Sequence, residues 1–250
     1  MNIAWEERGS GTPLLLIQGL GYARWSWEPI VAPLAERHRV LFFDNRGIGE
    51  SDAPPGPYTA RQMAEDALQV LDEAGVERAH VLGASLGGMI AQELAALAPE
   101  RVDRLVLCCT HPGVTHGFPM PEVTVRLFAE AAQLAPEEAL RRFVENALGE
   151  DPPAGLVDEL LRRRLESPQD PAGWQAQAAA GTTFEGVDAE IAVPTLVVSG
   201  TADNVVDPRN AGVLVARIPG ARLALLEGRG HLFFWEDAGA FVRIVEEFLG

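Results

Sequence analysis

The stretch Ala79-His80-Val81-Leu82-Gly83-Ala84-Ser85-Leu86-Gly87-Gly88-Met89-Ile90-Ala91-Gln92-Glu93-Leu94-Ala95-Ala96-Leu97-Ala98 decides the fold. It begins as an apolar, β-prone run and ends as a helix-forming one, with Gly-x-Ser-x-Gly between them. A chain passing from strand to helix in so few residues turns sharply. Ser85 is then forced into a strained conformation, and Gly83 and Gly87 stand where side chains would collide, the pattern of a nucleophile elbow. The strain lifts the serine hydroxyl above the sheet edge, within reach of a base and a substrate. With six serines and 25 glycines in 250 residues, chance supplies about 0.06 such pentapeptides per chain, so the flanking strand and helix carry the reading.

Outward from this turn, short apolar runs alternate with helical patterns. Leu14–Gln18, Val40–Phe43, Ala79–Leu82, Val102–Cys108, Thr195–Ser199 and Ala221–Leu226 read as strands. Between them, Thr59-Ala60-Arg61-Gln62 is a capping box, Gly75 ends the same helix, and Asp207-Pro208 opens another. Phe241, Ile244, Val245 and Phe248 form the apolar stripe of a closing helix from about Asp237 to Leu249. This alternation predicts an α/β fold, a mostly parallel central sheet with helices on both faces. Residues 112–190 break the rhythm: proline-punctuated helical segments and no convincing strand. They predict a small helical cap inserted into a core made of residues 1–111 and 191–250.

Composition narrows the chemistry. The formal charge is −16, which argues against binding nucleic acid or anionic membranes. All 20 basic residues are arginine, so phosphate-loop lysines, Schiff bases and pyridoxal attachment are excluded. No apolar run approaches the roughly 18 residues that span a bilayer. Charges at Glu6, Glu7 and Arg8 stand where a secretion signal would be apolar, which predicts a cytoplasmic protein. Cys108 and Cys109 are adjacent, too close for an unstrained disulfide, and read as core residues ending a strand. With no Cys-x-x-Cys or His-Glu-x-x-His, neither a metal nor a cofactor is expected.

A serine hydroxyl needs a base, and the base needs an orienting carboxylate. Each should follow a late strand, because functional groups of open α/β sheets gather at the carboxyl ends of strands. Pro194–Ser199 runs into Gly200-Thr201-Ala202-Asp203, and Ala221–Leu226 into Glu227-Gly228-Arg229-Gly230-His231. Ser85, Asp203 and His231 are therefore the candidate nucleophile, orienting acid and base. Asp207 is the rival acid but is engaged as a helix cap. Of the other histidines, His80 reads as packed, His38 as exposed, and His111 and His116 as lying at the cap entrance. The oxyanion donors are expected to be the backbone N–H groups of Leu86 and of Leu20, the latter in the glycine-rich loop after Leu14–Gln18. Gly19-Leu20-Gly21 is a poor dinucleotide fingerprint, since Arg24 holds the third glycine position.

These features together resemble the α/β-hydrolase superfamily, nearest its capped esterase, enol-lactonase and cofactor-free haloperoxidase group. Phe43-Asp44-Asn45-Arg46-Gly47-Ile48-Gly49-Glu50-Ser51-Asp52 is similar to that group's Asp-x-Arg-Gly-x-Gly-x-Ser segment, an architectural element there. The likeness spans about 14–110 and 191–248. Gln18 departs from the histidine that often precedes the oxyanion-loop glycine. The resemblance implies two-step acyl transfer from a small carboxylic ester or lactone. Leu20, Trp25, Leu86, Phe118, Phe184, Leu232 and Phe233 are candidate pocket walls, which the sequence does not separate from core. Serine at the elbow sets the chain apart from the dehalogenases and epoxide hydrolases of this fold, which use a carboxylate. Carbon–carbon bond hydrolysis of a diketone, perhydrolysis scored as haloperoxidase activity, and a slow-turnover ligand receptor are the alternatives on the same fold.

Overall fold

The computed structural model describes residues 1–250. Its strands are β1 (Trp5–Arg8), β2 (Thr12–Ile17), β3 (His38–Phe43), β4 (Ala79–Ala84), β5 (Val102–Cys108), β6 (Thr195–Gly200) and β7 (Arg222–Leu226). They form one sheet in the order β1-β3-β2-β4-β5-β6-β7, with β1 antiparallel to β3 and every other pairing parallel. β2 has β3 on one side and β4 on the other. The strand order therefore reverses there, and the loops after β2 and β4 flank the crevice that such a reversal opens.

The central strands read as continuous apolar runs because both of their faces are covered. Leu15, Leu41, Val81, Leu105 and Val197 point to one apolar layer, and Leu14, Leu16, Val40, Leu82, Val106 and Val198 to the other. Helices α1 (Glu28–Leu34), α2 (Ala60–Glu73) and α3 (Leu86–Leu97) follow the early strands, and α8 (Arg209–Arg217), α9 (Phe233–Glu236) and α10 (Ala238–Leu249) the late ones. Met63, Val70, Ile90 and Leu94 of α2 and α3 fill the first layer. Ile30, Leu34, Phe241, Val245 and Phe248 of α1 and α10 fill the second. Burying each such side chain contributes roughly 1.5–3 kcal/mol, so packing rather than helix propensity holds these elements in place.

The capping box closes reciprocally: Gln62 N–H donates to Thr59 Oγ1 at 3.1 Å, and Thr59 N–H to Gln62 Oε1 at 3.1 Å. Gly75, at φ +65°, ends that helix in the left-handed conformation. Between β5 and β6 lie four helices and no strand: α4 (Glu122–Ala131), α5 (Pro136–Asn146), α6 (Leu156–Glu166) and α7 (Pro171–Thr182). No helix is long and apolar enough to cross a membrane.

Two features differ from the sequence reading. Strand β1 escapes it because Glu6, Glu7 and Arg8 mask an edge strand, whose ion pair to β3, Glu7–Arg39 at 2.6 Å, charges the sheet margin. His38 opens β3 and is 2% exposed rather than solvated. Glu246 of α10, remote in sequence, lies 3.1 Å from its Nε2 and covers it.

Candidate active site

The link from β4 to α3 is as tight as its glycines imply. A Cβ on Gly87 would lie 2.0 Å from the Ile17 carbonyl oxygen, and one on Gly83 would lie 2.2 Å from that of Gly87. Neither position accepts a side chain. Ser85 sits between them at φ +56°, ψ −120°, a conformation that costs a non-glycine residue about 1–3 kcal/mol and persists only where the surroundings over-determine it. Those surroundings are hydrogen bonds. Ser85 N–H donates to Cys108 O at 2.9 Å, and Ser85 O accepts from Thr110 Oγ1 at 2.7 Å and from Gly88 N–H at 2.9 Å. The Ser85 side chain forms no hydrogen bond within the protein, and none joins it to His231 in this conformation.

Asp203 and His231, at the ends of β6 and β7, are brought together: His231 Nδ1 lies 2.8 Å from Asp203 Oδ2. Asp203 Oδ1 accepts the N–H groups of Val205 at 2.7 Å and Val206 at 2.9 Å, which fixes the carboxylate plane. Asp203 is 3% exposed and His231 7%. A carboxylate at Nδ1 makes that nitrogen the donor, leaving Nε2 of the neutral ring as the acceptor. Burial by itself would push the imidazole pKa down. The charge and hydrogen bond of Asp203 reverse this and hold it well above the ordinary histidine value. Asp207 belongs to a separate arrangement, receiving Arg209 N–H at 3.0 Å and pairing with the Arg209 guanidinium.

Cys109 is a residue that sequence reasoning placed in the core without a role. Cys108 ends β5 and is buried, but Cys109 lies beyond the strand at φ +41°, with its thiol against the His231 imidazole. Burial pushes that thiol's pKa up, so at neutral pH it is an uncharged neighbour of the ring. Nothing in two adjacent cysteines signals a left-handed backbone at the second.

The loop after β2 carries a pattern of engaged and free donors. Gly19 N–H donates to Gln18 Oε1 at 2.7 Å, Gly21 N–H to Gln177 Oε1 at 3.0 Å, and Tyr22 N–H to Gly19 O at 3.4 Å. Leu20 N–H has no acceptor within the protein, and Leu86 N–H, the first of α3, has no intrahelical acceptor. Gly19 lies close beside Ser85, since a Cβ on it would be 3.0 Å from the Ser85 Cβ. Gln18 braces the loop: Nε2 donates to Ser26 Oγ at 2.6 Å, and its carbonyl accepts from Asn45 Nδ2 at 2.8 Å. The Asp44–Ser51 segment supports the same region. Asp44, 1% exposed, accepts the N–H groups of Arg24 at 2.7 Å and Glu50 at 3.0 Å.

The expected pocket walls disperse. Phe184 is buried and its ring packs beside His111, with centroids 6.2 Å apart. Leu232 and Phe233 are 3% and 0% exposed and belong to the apolar layer that holds Phe234 and Phe241, with the Phe233 ring packed on both. Phe118 faces outward beneath the Arg209 guanidinium, 4.0 Å from its ring centroid. Trp25 packs between Tyr22 and Trp235 and lines an open groove of about 760 Å³ with Arg24, Glu28 and Glu50. These departures share a cause. An aromatic residue in a loop or short helix gives no sequence signal for which surface it faces. His111 Nδ1 accepts Gly113 N–H at 3.1 Å, and His116 is exposed. No group of three or more His, Cys, Asp or Glu side chains is arranged to hold a metal ion.

The family model for the alpha/beta hydrolase fold matches residues 12–238. The chain is an α/β hydrolase. It is 32% identical, over all of its own length and 95% of the relative's, to a protein of Azorhizobium caulinodans provisionally named the carbamate hydrolase RutD. It is 31% identical to a 2-hydroxy-6-oxononadienedioate/2-hydroxy-6-oxononatrienedioate hydrolase of Cupriavidus pinatubonensis, over 98% of this chain and 89% of that one. The enol-lactonase of Burkholderia xenovorans LB400 superposes with a TM-score of 0.84 at 31% identity, covering 99% of this chain and 96% of that one. Helices α4–α7 of the α/β hydrolase spend most of their arginines on their own carboxylates: Arg126–Glu122, Arg141–Asp158, Arg162–Glu159 and Arg163–Glu159. Arg164 instead donates to Gly21 O at 3.1 Å and lies over the Tyr22 ring.

Proposed function

We propose that this α/β hydrolase cleaves a small carboxylic ester or lactone through an acyl-enzyme on Ser85. The observation that carries the reading is the buried Asp203–His231 pair at 2.8 Å, on the same sheet edge as the strained serine at φ +56°. His231 Nε2 takes the Ser85 proton as Oγ attacks the carbonyl carbon. Asp203 holds the ring so that this nitrogen faces the serine, and stabilises the imidazolium that forms. The developing oxyanion receives the N–H groups of Leu20, which no protein acceptor occupies, and of Leu86, which opens a helix and has no intrahelical acceptor. The imidazolium then protonates the leaving alcohol, or the released end of a lactone. Water, deprotonated by the same nitrogen, attacks the acyl carbon, and the imidazolium returns that proton to Ser85 Oγ as the acid leaves. The missing Ser85–His231 hydrogen bond is compatible with this cycle, because such bonds are often long without substrate and tighten when it binds. Helices α4–α7, inserted between β5 and β6, form the cap over this edge.

Similarity to the dienedioate hydrolase favours one second reading, attack by the same serine machinery on a ketone and breakage of a carbon–carbon bond. A panel of p-nitrophenyl esters, lactones and vinylogous diketones, run with wild type and Ser85→Ala, separates the two. The ester reading expects repeated turnover of an ester or lactone, labelling of Ser85 by a fluorophosphonate, and loss of both in Ser85→Ala. Wild-type turnover by Ser85→Ala rejects any serine mechanism. Diketone cleavage outpacing every ester selects the second reading, and a single slow turnover marks a receptor.

A further inference from the structure

The loop that carries Leu20 is pinned from two sides, and one of them belongs to the cap. From the core, Gln18 Oε1 holds Gly19 N–H at 2.7 Å and Asn45 holds the Gln18 carbonyl at 2.8 Å. From the cap, Gln177 of α7 accepts Gly21 N–H at 3.0 Å through Oε1 and donates through Nε2 to Arg46 O at 2.7 Å. Arg164 of α6 adds a bond to Gly21 O at 3.1 Å. The Gly19–Leu20 peptide, which presents the free Leu20 N–H, is thus slung between two peptides whose N–H groups are each held by a side-chain amide.

Helix α7 is seated firmly enough to serve as a reference for this loop. A Cβ on Gly173 would lie 2.1 Å from the Gly47 carbonyl oxygen, so the helix backbone touches the core loop directly. Tyr58 N–H donates to Ala176 O at 3.2 Å, and the Asp170 carboxylate caps the helix at Ala172 N–H, 3.0 Å away. Gln177 itself is 0% exposed. A buried amide with both ends engaged has one favoured orientation, because turning it would leave donors facing donors.

We infer that Gln177 is a positioning residue for the oxyanion hole, so that the cap takes part in the chemistry rather than only covering it. This rests on the serine-hydrolase reading above. By accepting Gly21 N–H, Gln177 fixes the peptide that follows Leu20 and withdraws the neighbouring N–H from competition for the substrate oxygen. Losing one oxyanion donor costs about 10²–10³-fold in kcat, and displacing one by about 1 Å costs up to about 10²-fold. Loosening Gly21 therefore acts on the transition state more than on substrate binding.

The test compares Gln177→Met, which keeps the length and removes both polar ends, with Gln177→Glu, which keeps the acceptor. A trifluoromethyl ketone serves as probe, since its hemiketal places an anionic oxygen in the hole. Gln177→Met is expected to lower kcat on p-nitrophenyl acetate about 10–100-fold with KM within about threefold. The ketone should weaken by the same factor as kcat, and hydrogen exchange at the Gly21 amide should quicken. Gln177→Glu recovers most of the loss.

Asn210→Ala is the matched control. Asn210 is also buried and bridges core and cap, holding Phe118 N–H at 2.7 Å and Phe118 O at 3.1 Å, with no contact to the loop. It should leave kcat within twofold. If Gln177→Met does not fold, Arg164→Met, on the half-buried second clasp, should show the same split at about threefold. Unchanged kcat and ketone affinity in the Gln177 variants overturn the inference, as does an equal loss in Asn210→Ala. An inactive Ser85→Ala beside a fully active Gln177→Met sinks this assignment alone, whereas a fully active Ser85→Ala sinks the hydrolase reading as well.

Discussion

At the carboxyl end of the sheet, His231 meets Asp203 at 2.8 Å through a hydrogen bond whose carboxylate is itself held by two backbone N–H groups. At the amino end, His38 lies 3.1 Å from Glu246 and His80 lies 3.2 Å from Asp103. There the contacts are close but misaligned: neither ring nitrogen of His38, nor Nδ1 of His80, forms a hydrogen bond. The His38 and His80 rings instead meet edge to face, 5.9 Å between centroids. Proximity of a histidine to an acid is therefore common to both ends. Alignment, supplied by fixed backbone donors on the acid, belongs to the pair on the edge that carries Ser85, and under the proposed function it makes that pair a proton relay while the other is packing.

The strongest way to break this comparison is to remove the orienting charge. Under the proposed function Asp203→Asn lowers kcat about 10⁴-fold, the loss known for the same change in a serine-protease triad, while Asp207→Asn stays within about threefold because Asp207 serves Arg209 and its helix. Steady-state kinetics on one ester decide the matter, and a reversed order would exchange the two roles.

A smaller effect sharpens the electrostatics of the upper end. Because Asp203 holds the His231 pKa well above the ordinary value, kcat/KM should rise with pH through a midpoint above about 6.5. Cys109→Ala should leave that midpoint within a few tenths, since burial keeps the thiol uncharged. A fall of a full unit would reveal a thiolate partner instead.

The lower end should speak through stability. Burial depresses the His80 pKa against the pull of Asp103, with Arg104 and Arg78 adding positive charge nearby. The unfolded chain then binds more protons, so His80 costs stability as pH falls below about 6.5. His231, with its pKa raised, acts oppositely: its contribution is present in acid and fades as pH rises through the folded-state value. Thermal melts of His80→Gln between pH 7 and 5 should lose less stability than wild type, with turnover at pH 7 unchanged. A steeper loss would refute the assignment. Smallest of all, Glu246→Gln, which leaves His38 and Arg37 without their carboxylate, should shift stability by about 1 kcal/mol or less and turnover by less than twofold.

Much of this molecule was legible in one dimension. The alternation of apolar runs with helical stripes, the glycines flanking Ser85, and the placement of Asp203 and His231 after late strands are local signals, because strand period, helix period and backbone sterics depend on neighbours a few residues away. The order Ser85, Asp203, His231 and the helical character of residues 112–190 followed from the same reading. Only the tertiary structure decided the rest. It buried His38 under a glutamate 208 residues later, turned Cys109 against His231, sent Phe118 outward and Phe233 into the core, and brought Gln177 onto Gly21. Each of these depends on where distant segments lie and which way a single side chain points. No periodicity records that, because the free energy settling it belongs to contacts made only when the sheet and the helices over it close together.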